Sequence, residues 1–282
     1  MNSLRDLDAA IDRWFREDIG EGDHTTLSTI PKDAVGSAKL LVKEKGILAG
    51  FQVAHRIFNR FDQEIRIYPQ IEDGSVISPG DVVFSVTGQI HTILQCERLV
   101  LNVMQRMSGI ATTTSAYVRL LEGTGTKILD TRKTTPGMRF LEKEAVRLGG
   151  GVNHRFGLYD MILIKDNHID FAGGIKQAIA STRTYLQEQK LKLDMVVEVR
   201  SLEDIEAVLS MEGVHRILLD NFSVEETRKA VRLIDNRVET ESSGGISRES
   251  IRQYAECGVD YISVGALTHQ INSLDLSLKA DF

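Results

Sequence analysis

The chain has 282 residues, of which 42% are hydrophobic and 26% charged, and its net charge at pH 7 is −6. This length suits one large domain or two modest ones, and such domains need no disulfide or metal to be stable. Two cysteines without ligand spacing exclude a disulfide scaffold and a cysteine zinc site, and no apolar run could span a membrane. We therefore expect a cytoplasmic protein of enzyme size that binds neither nucleic acid nor membrane.

The first third of the chain predicts a small α+β domain. Apolar residues recur with a helical period over residues 4–15, and Ser3 with Asp6 suits a capping-box start. This N-terminal stretch is too acidic for a signal or transit peptide. Strand-like runs follow at 38–43, 64–68 and 81–86, with helical patterns at 51–61 and 93–107. Because the strands lack regular helical crossovers, we assign residues 1–110 to this domain.

The rest of the chain, residues 111–282, predicts repeated βα units that carry the active site, with a C-terminal segment that we expect to pack back on the N-terminal domain. Short β-branched runs, each ending in polar or glycine residues, occur at 127–130, 161–164, 195–199, 216–219, 237–240 and 260–264. Ser201, Ser223 and Ser247 are N-cap candidates for the helices between them. Such units form a parallel sheet covered by helices, either doubly wound or barrel-like. The runs fall short of the eight strands of a full barrel, so we favour an incomplete α/β barrel.

Glycines near the last two strands suggest a phosphate site. Ser243, Gly244 and Gly245 follow one strand, and Gly265 follows the next, with His269 shortly after. Glycines let backbone N–H groups approach an anion, and the last two strands of a (β/α) barrel often hold a phosphate. The alternative is that the glycine pair only makes a tight turn.

A cluster of cations is predicted at the ends of the first strands. It consists of Arg132, Lys133, His154, Arg155 and Lys165. Arginine recognises carboxylates and phosphates through paired hydrogen bonds, and lysine supplies a compact charge. A single pair of this kind is usually a solvated surface run, but five cations near strand ends suggest a substrate with several negative charges.

Two carboxylates follow the neighbouring apolar strands. Glu198 and Asp220 could hold Mg²⁺, bind sugar hydroxyls or stabilise a developing cation. The structural alternative is that one of them only balances Lys165. Lys165 has a competing role as well, because a lysine at the end of a barrel strand can form a Schiff base, as in aldolases.

Taken together in chain order, these motifs resemble the quinolinate phosphoribosyltransferase family (nicotinate-nucleotide pyrophosphorylase, carboxylating). The resemblance covers nearly the whole chain and is far more specific than any single motif. Its motifs are EDIGEGD at 17–23, ER at 97–98, SGIAT at 108–112, DTRKTTPG at 130–137, GGVNHR at 150–155, LIKDNH at 163–168, Glu198, LDN at 219–221, SGGI at 243–246 and SVGALTH at 263–269.

The resemblance implies an N-terminal sandwich domain, an incomplete barrel and a homodimer or higher oligomer. It implies that quinolinate and phosphoribosyl pyrophosphate react, with Mg²⁺, to give nicotinate mononucleotide, pyrophosphate and CO₂ for NAD synthesis. Departing pyrophosphate would be stabilised by Mg²⁺ and cations while the anomeric carbon becomes oxocarbenium-like.

The resemblance also implies a role for each matching residue. Arg132, His154 and Arg155 would bind the quinolinate carboxylates, while Lys133 and Lys165 would serve both substrates. Glu198 and Asp220 would bind the ribose hydroxyls and Mg²⁺, and Arg98 would reach the site from the partner subunit. The 5-phosphate would be held by Ser243, Gly244, Gly245 and Gly265, with His269 close by.

One departure and three alternatives stand beside this interpretation. Gln270-Ile271-Asn272 replaces a stretch of small residues and proline found in many relatives, which leaves the shape of that loop open. A molybdenum-transport-associated paralogue of the same fold is the nearest family rival. An aldolase using Lys165 and a phosphometabolite-binding protein without turnover are the alternatives from other classes.

Overall fold

The computed structural model describes residues 4–281, so Ser3 of the predicted helix cap lies outside the described residues. These residues form two compact units. The first contains the residues up to Ser115, Pro136–Gly150 and the segment from Gln270, and the second contains Ala116–Thr135 and Gly151–His269. The division at residues 110 and 111 stays a prediction about the domains.

The helices and strands are as follows in chain order. The strands are β1 (Val35–Val42), β2 (Gly46–Ile47), β3 (Arg66–Pro69), β4 (Val76–Ile77), β5 (Val82–Gln89), β6 (Lys127–Leu129), β7 (Ile162–Ile164), β8 (Met195–Val199), β9 (Arg216–Asp220), β10 (Glu239–Ser243), β11 (Tyr261–Ser263) and β12 (Leu276–Asp281). The helices are α1 (Leu4–Ile19), α2 (His24–Thr29), α3 (Phe51–Phe61), α4 (Ile90–Leu120), α5 (Arg139–Leu148), α6 (Asp166–Ala172), α7 (Ile175–Glu188), α8 (Leu202–Leu209), α9 (Val224–Ile234), α10 (Ile251–Ala255) and α11 (Ala266–His269). Within this part of the chain, no helix combines the length and apolar character needed to cross a membrane.

The first unit is built on an antiparallel sheet in the order β12-β1-β5-β3. The rings of Phe51 and Phe58 on α3 pack against Phe84 of β5, which joins the helix to the sheet. Helix α1 is linked to α3 by ion pairs from Asp8 to Arg56 and from Asp12 to Arg60. The small α+β domain expected from the sequence is therefore present in this unit.

The C-terminal segment of the chain, from Gln270, also belongs to the first unit. Strand β12 pairs antiparallel with β1 from Val42–Leu276 to Ser37–Asp281. The preceding segment lies against α4, where the Gln105 carbonyl accepts a hydrogen bond from the backbone N–H of Leu274 at 3.0 Å. The chain therefore returns to its first sheet after passing through the second unit.

The second unit contains a parallel sheet in the order β6-β11-β10-β9-β8-β7, with helices in the connections. Strands β6 and β7 follow each other in the chain but are not paired, and each forms an edge of the sheet. Beyond β6, an isolated parallel bridge joins Leu129 to Val152. This order is that of a barrel left open between two strands, which confirms the predicted fold class.

Two local predictions differ from the structure. The predicted strand at 237–240 is displaced to β10, because Asp235 and Asn236 adopt left-handed conformations and Arg237 donates to the Ile234 carbonyl at the end of α9. Ser201 and Ser223 cap α8 and α9 as predicted. Ser247 does not cap a helix, because residues 248–250 form a turn and α10 begins only at Ile251.

Candidate active site

The carboxyl ends of strands β6–β11 and the loops that follow them form one side of the second unit, which we call the strand-end face. Side chains from different parallel strands converge at such a face. The predicted site residues of this unit are Arg132, Lys133, His154, Arg155, Lys165, Glu198, Asp220, Ser243, Gly244, Gly245, Gly265 and His269. Arg98 differs from these residues because it belongs to the first unit, where it is exposed on α4.

Arg155 is a nearly buried cation. It is 8% exposed, and its Nη1 donates to the Met161 carbonyl at 3.2 Å. Burial lowers the pKa of Arg155, and the charge of nearby Arg132 lowers it further, while Asp160 opposes both effects. The fold thus holds two guanidinium groups close enough to repel each other. A bound carboxylate or phosphate would relieve that repulsion, which makes this pair a candidate anion site.

His154 lies between Arg155 and a buried acid. Its backbone N–H donates to the carboxylate of Asp130 at 2.8 Å. Its ring Nδ1 accepts the backbone N–H of Arg155 at 2.7 Å, and its Nε2 lies 3.3 Å from Oε2 of Glu241. Oε2 of Glu241 also lies 3.1 Å from Nη1 of Arg216. The imidazole is therefore held from both sides by groups of the second unit.

The two predicted carboxylates, Glu198 and Asp220, are close enough for their charges to interact. Oε2 of Glu198 lies 3.3 Å from Nζ of Lys165, so the ends of β7 and β8 are joined by an ion pair. Burial raises the pKa of Glu198, Lys165 partly offsets that rise, and the charge of Asp220 adds to it. Asp220 itself accepts a hydrogen bond from the side chain of Asn221 at 2.8 Å. The strand-end face thus carries a pair of acids next to a lysine.

The glycine pair makes a left-handed turn against the end of β9. Gly244 has φ +93°, and a Cβ built on it would stand 2.3 Å from Oδ1 of Asn221. Gly245 has φ +59°, but open space surrounds the position of its Cβ. The backbone N–H of Asn221 donates to the Ser243 carbonyl at 2.9 Å, which ties the turn to its neighbour. Gly244 therefore has a structural reason to be glycine, whereas the open space at Gly245 leaves room for a ligand.

Gly265 lies where two cation-bearing side chains meet. A Cβ at this position would stand 2.9 Å from Nε2 of His269 and 3.1 Å from Cδ of Lys133. The hydroxyl of Thr268 donates to the Lys133 carbonyl at 2.8 Å and so joins the loops after β6 and β11. The structure thus brings Lys133, from the loop after β6, next to Gly265 and His269, which follow β11.

Two charged residues in this region were missed by the sequence analysis. Glu241 lies inside β10 and is fully buried, and Arg216 begins β9. The available signal was a glutamate two residues before the Ser243-Gly244-Gly245 turn, in a segment expected to be part of a buried parallel sheet. Glu241 directly follows the predicted strand at 237–240, but its partners His154 and Arg216 are distant in sequence, so no local pattern indicated its role.

Metal-binding side chains are sparse in the described residues. Nowhere in residues 4–281 do three His, Cys, Asp or Glu side chains gather in the manner of a protein-only metal site. Any divalent cation at the strand-end face would therefore have few protein ligands. A cation of this kind would need water or substrate oxygens to complete its coordination.

Comparisons with known proteins agree with this geometry. Residues 23–108 match the quinolinate phosphoribosyl transferase N-terminal domain model, and residues 110–279 match the C-terminal domain model. The chain is 43% identical to quinolinate phosphoribosyltransferase [decarboxylating] 1b of Nicotiana tabacum, over 98% of this chain and 83% of that protein. It is 41% identical to a probable nicotinate-nucleotide pyrophosphorylase [carboxylating] of Bacillus subtilis, over 99% and 94%.

Solved structures show the same likeness. The crystal structure of NadC from Streptococcus pyogenes superposes with a TM-score of 0.93 at 39% identity, covering 100% of this chain and 99% of that one. Both domain models match in order, and together they extend over most of the chain. The chain therefore belongs to the quinolinate phosphoribosyltransferase family.

Proposed function

We propose that this chain transfers the phosphoribosyl group of phosphoribosyl pyrophosphate to the nitrogen of quinolinate. Pyrophosphate and CO₂ leave, and nicotinate mononucleotide remains as a precursor of NAD. The observation that carries this proposal is the convergence, on one strand-end face, of an arginine pair, an acid pair and a glycine-lined cationic pocket. A dicarboxylate, a ribose and a phosphate require these three kinds of group.

The arginine pair suits the two carboxylates of quinolinate. Arg132 and Arg155 already repel each other, so a dianion bound between them gains attraction and removes that repulsion. Lys133 adds a further charge from the same loop. The role of His154 as a direct ligand stays a prediction, because both of its ring nitrogens face groups of the protein.

The phosphoribosyl donor would bind across the opposite part of the face. The turn of Ser243, Gly244 and Gly245 would offer backbone N–H groups to the 5-phosphate, and Lys133 and His269 beside Gly265 would add side-chain donors. Lys133 and Lys165 would also contact the pyrophosphate end of the donor. These assignments follow the family motifs and remain proposals.

Glu198 and Asp220 are the residues that would hold Mg²⁺ and the ribose hydroxyls. Two neighbouring acids without a third protein ligand fit this cation, which commonly uses one or two carboxylates together with water and substrate phosphates. When bound, Mg²⁺ would neutralise charge on the pyrophosphate. The unfavourable proximity of the two carboxylates, which helps to raise the pKa of Glu198, is what such a cation would relieve.

The chemistry asks the protein mainly to position two anions. As the bond from the anomeric carbon to pyrophosphate breaks, Glu198 and Asp220 would stabilise positive charge on the ribose, while Lys165 would attract the leaving group. The quinolinate nitrogen forms the new bond and becomes a pyridinium. The electrons of the bond to the adjacent carboxylate then move into that ring as CO₂ leaves, and the ring carbon takes a proton. Arg132 and Arg155 would hold the dicarboxylate in place throughout.

Assembly and location are proposed on separate grounds. A homodimer in which Arg98 completes the site of the partner subunit is supported by the exposure of Arg98 on α4 and by its match to the family motif. A higher oligomer would keep this pair as its unit. A cytoplasmic location is supported by two buried cysteines that form no disulfide.

The aldolase alternative has less support. Its reactive group would be Lys165 as a free amine, whereas Nζ of Lys165 forms an ion pair with Oε2 of Glu198 at 3.3 Å. Borohydride trapping of a carbonyl compound on Lys165 would revive it. The paralogue and the binding protein also have less support, because the relatives with which the chain shares 41–43% identity bear the names of quinolinate phosphoribosyltransferases and nicotinate-nucleotide pyrophosphorylases.

The test is product formation by the purified chain with phosphoribosyl pyrophosphate, Mg²⁺ and either quinolinate or nicotinate. We expect nicotinate mononucleotide and CO₂ from quinolinate and no product from nicotinate. Binding of the sugar donor without reaction of either acid would overturn the proposed activity and favour the paralogue or the binding protein.

A further inference from the structure

The imidazole of His154 is held in one tautomer by its surroundings. Its side chain is 7% exposed, and Nδ1 accepts the backbone N–H of Arg155 at 2.7 Å. A backbone N–H can only donate, so Nδ1 carries no proton and the neutral ring must carry its proton on Nε2. Nε2 faces Oε2 of Glu241 at 3.3 Å. The acid therefore accepts from the ring and fixes its orientation.

Glu241 is itself bound by a second partner, Arg216. The residue is fully buried, and its Oε2 also accepts from Nη1 of Arg216 at 3.1 Å. The same guanidinium binds the carboxylate of Glu239 at 2.9 Å and lies 3.9 Å from the centre of the Tyr261 ring. Burial alone would raise the pKa of Glu241, but His154 and Arg216 outweigh it and the pKa is lowered. The carboxylate of Glu241 is thus bonded through Oε2 to both His154 and Arg216.

We propose that Glu241 is a positioning residue for the binding of the dicarboxylate substrate. It holds the ring of His154, and that ring holds the backbone amide of Arg155, from which the anion-binding guanidinium extends. The chain of contacts runs from Arg216 through Glu241 and His154 to Arg155. This inference rests on the proposed function for its kinetic readout but not for its structural one.

Electrostatics and positioning make opposite predictions for Glu241. A buried negative charge beneath an anion site repels the substrate, so a purely electrostatic role predicts that removing the charge strengthens quinolinate binding. A positioning role predicts that binding depends on the acceptor atom, not on the charge. The contacts of Glu241 with His154 and Arg216 both use Oε2, so the amide oxygen of glutamine can take that place; Ser263 contributes a further hydrogen bond to the carboxylate.

The experiment compares Glu241→Gln with Glu241→Ala. We expect the glutamine variant to keep the KM for quinolinate within about threefold, because the acceptor remains. The alanine variant should raise that KM by about 10- to 100-fold, as a small displacement of a binding group does, with the KM for phosphoribosyl pyrophosphate nearly unchanged. A lower KM for quinolinate in both variants, or no change in a folded Glu241→Ala, would overturn the proposal.

Glu239→Gln is the matched control. Glu239 lies on the same strand and binds the same arginine, but its side chain is 49% exposed and its carboxylate is paired with Arg216 and Tyr261. We expect the KM for quinolinate to stay unchanged in this variant. An increase as large as that of Glu241→Ala would mean that Arg216, and not contact with His154, carries the effect, which would overturn the proposal.

A second measurement requires neither enzymatic activity nor a folded Glu241→Ala variant. Long-range ¹H–¹⁵N NMR of the wild-type protein with labelled histidine reports which ring nitrogen carries the proton, and His154→Gln identifies the signal. We expect the Nε2–H tautomer at neutral pH in the wild type and in Glu241→Gln. An Nδ1–H tautomer would overturn the proposal, whereas failure of quinolinate turnover together with the expected tautomer would count only against the proposed function.

Discussion

Two charged side chains at the strand-end face are held where their own charge is disfavoured. Burial and Arg132 lower the pKa of Arg155, and burial and Asp220 raise the pKa of Glu198. Such perturbed groups gather where ligands or reacting atoms supply the missing counter-charge. At the scale of the residue, Arg155 and Glu198 are therefore the strongest candidates for contact with charged groups of a ligand.

Arg155→Ala should weaken catalysis more than it weakens the fold. Loss of charge-assisted hydrogen bonds costs about 1.5–3 kcal/mol, which corresponds to roughly one to two decades in kcat/KM for quinolinate. Steady-state kinetics with thermal unfolding measure both effects. Arg183→Ala, which removes an exposed arginine paired with Glu212, is the control and should change neither. Wild-type kinetics in a folded Arg155→Ala would remove Arg155 from the site.

Glu198→Gln should stabilise the protein at neutral pH while reducing its activity. Because the pKa of Glu198 is raised in the folded chain, its contribution to stability is fully present below its ordinary value of 4.5 and is lost as pH rises through the folded pKa. The amide mimics the protonated acid, so the variant should match the wild type at low pH and have the higher Tm near pH 7. Unfolding curves at both pH values test this.

Glu225→Gln provides a control of opposite sign for that experiment. Lys229 lowers the pKa of Glu225 through a hydrogen bond and its charge, so the ionised form is the favoured one in the folded chain. This variant should lose stability near neutral pH and not gain it. A lower Tm for both variants at pH 7 would show that the ion pair with Lys165 outweighs the burial of Glu198.

At the scale of the element, the sequence predicted where strands lie in the chain better than it predicted which residues contact each other. Buried parallel strands are apolar runs, so β8 was predicted with its observed limits, and most catalytic candidates follow from where such runs stop. The start of β10 was missed because left-handed turns at Asp235 and Asn236 are set by backbone conformation, which apolar periodicity does not report. Glu241 was missed for a related reason: its partners come from loops and strands distant in sequence.

Gly265→Ala tests the pocket formed by the last loop. The added methyl would press against the ends of the Lys133 and His269 side chains, which can move aside, so the loss of stability should stay below about 1 kcal/mol. The KM for phosphoribosyl pyrophosphate should rise about tenfold, equivalent to one lost hydrogen bond. Gly36→Ala, whose methyl meets Ile90 at 3.1 Å in the first unit, should leave that KM unchanged. Equal effects of the two variants would argue against a phosphate pocket at Gly265.

At the scale of the whole molecule, the sequence predicted two structural classes and a C-terminal segment that packs back on the N-terminal domain, but it did not predict that residues 136–150 belong to the first unit. Residues 136–150 and the segment from Gln270 belong to the first unit, although both lie within or beyond the barrel sequence. Helical periodicity predicts helices and β-branched runs predict strands, but neither pattern shows which distant element a helix or strand packs against. The same limit applies to Arg98, whose assignment depends on a second subunit.

Mixed subunits test the shared site. Arg98→Ala and Lys133→Ala should each be nearly inactive alone, whereas random mixing should restore about a quarter of the wild-type activity, because half of the dimers contain one intact site. Mixing Lys133→Ala with the Arg98→Ala/Lys133→Ala double variant is the control and should restore none. Absence of rescue after proven subunit exchange would mean that Arg98 does not act across an interface.

The pairing of β12 with β1 has a consequence during synthesis on the ribosome. Ser37 and Asp281, which are bonded across these strands, are separated by 244 residues. At about 5–20 residues per second, roughly 12–50 seconds pass before the second strand exists. Until then the backbone N–H and C=O groups along one edge of β1 have no β12 to pair with. They can pair instead with the same edge of another nascent chain on the same polysome. Slower translation of the intervening codons should therefore raise aggregation of this protein in cells, even though its finished fold is unchanged.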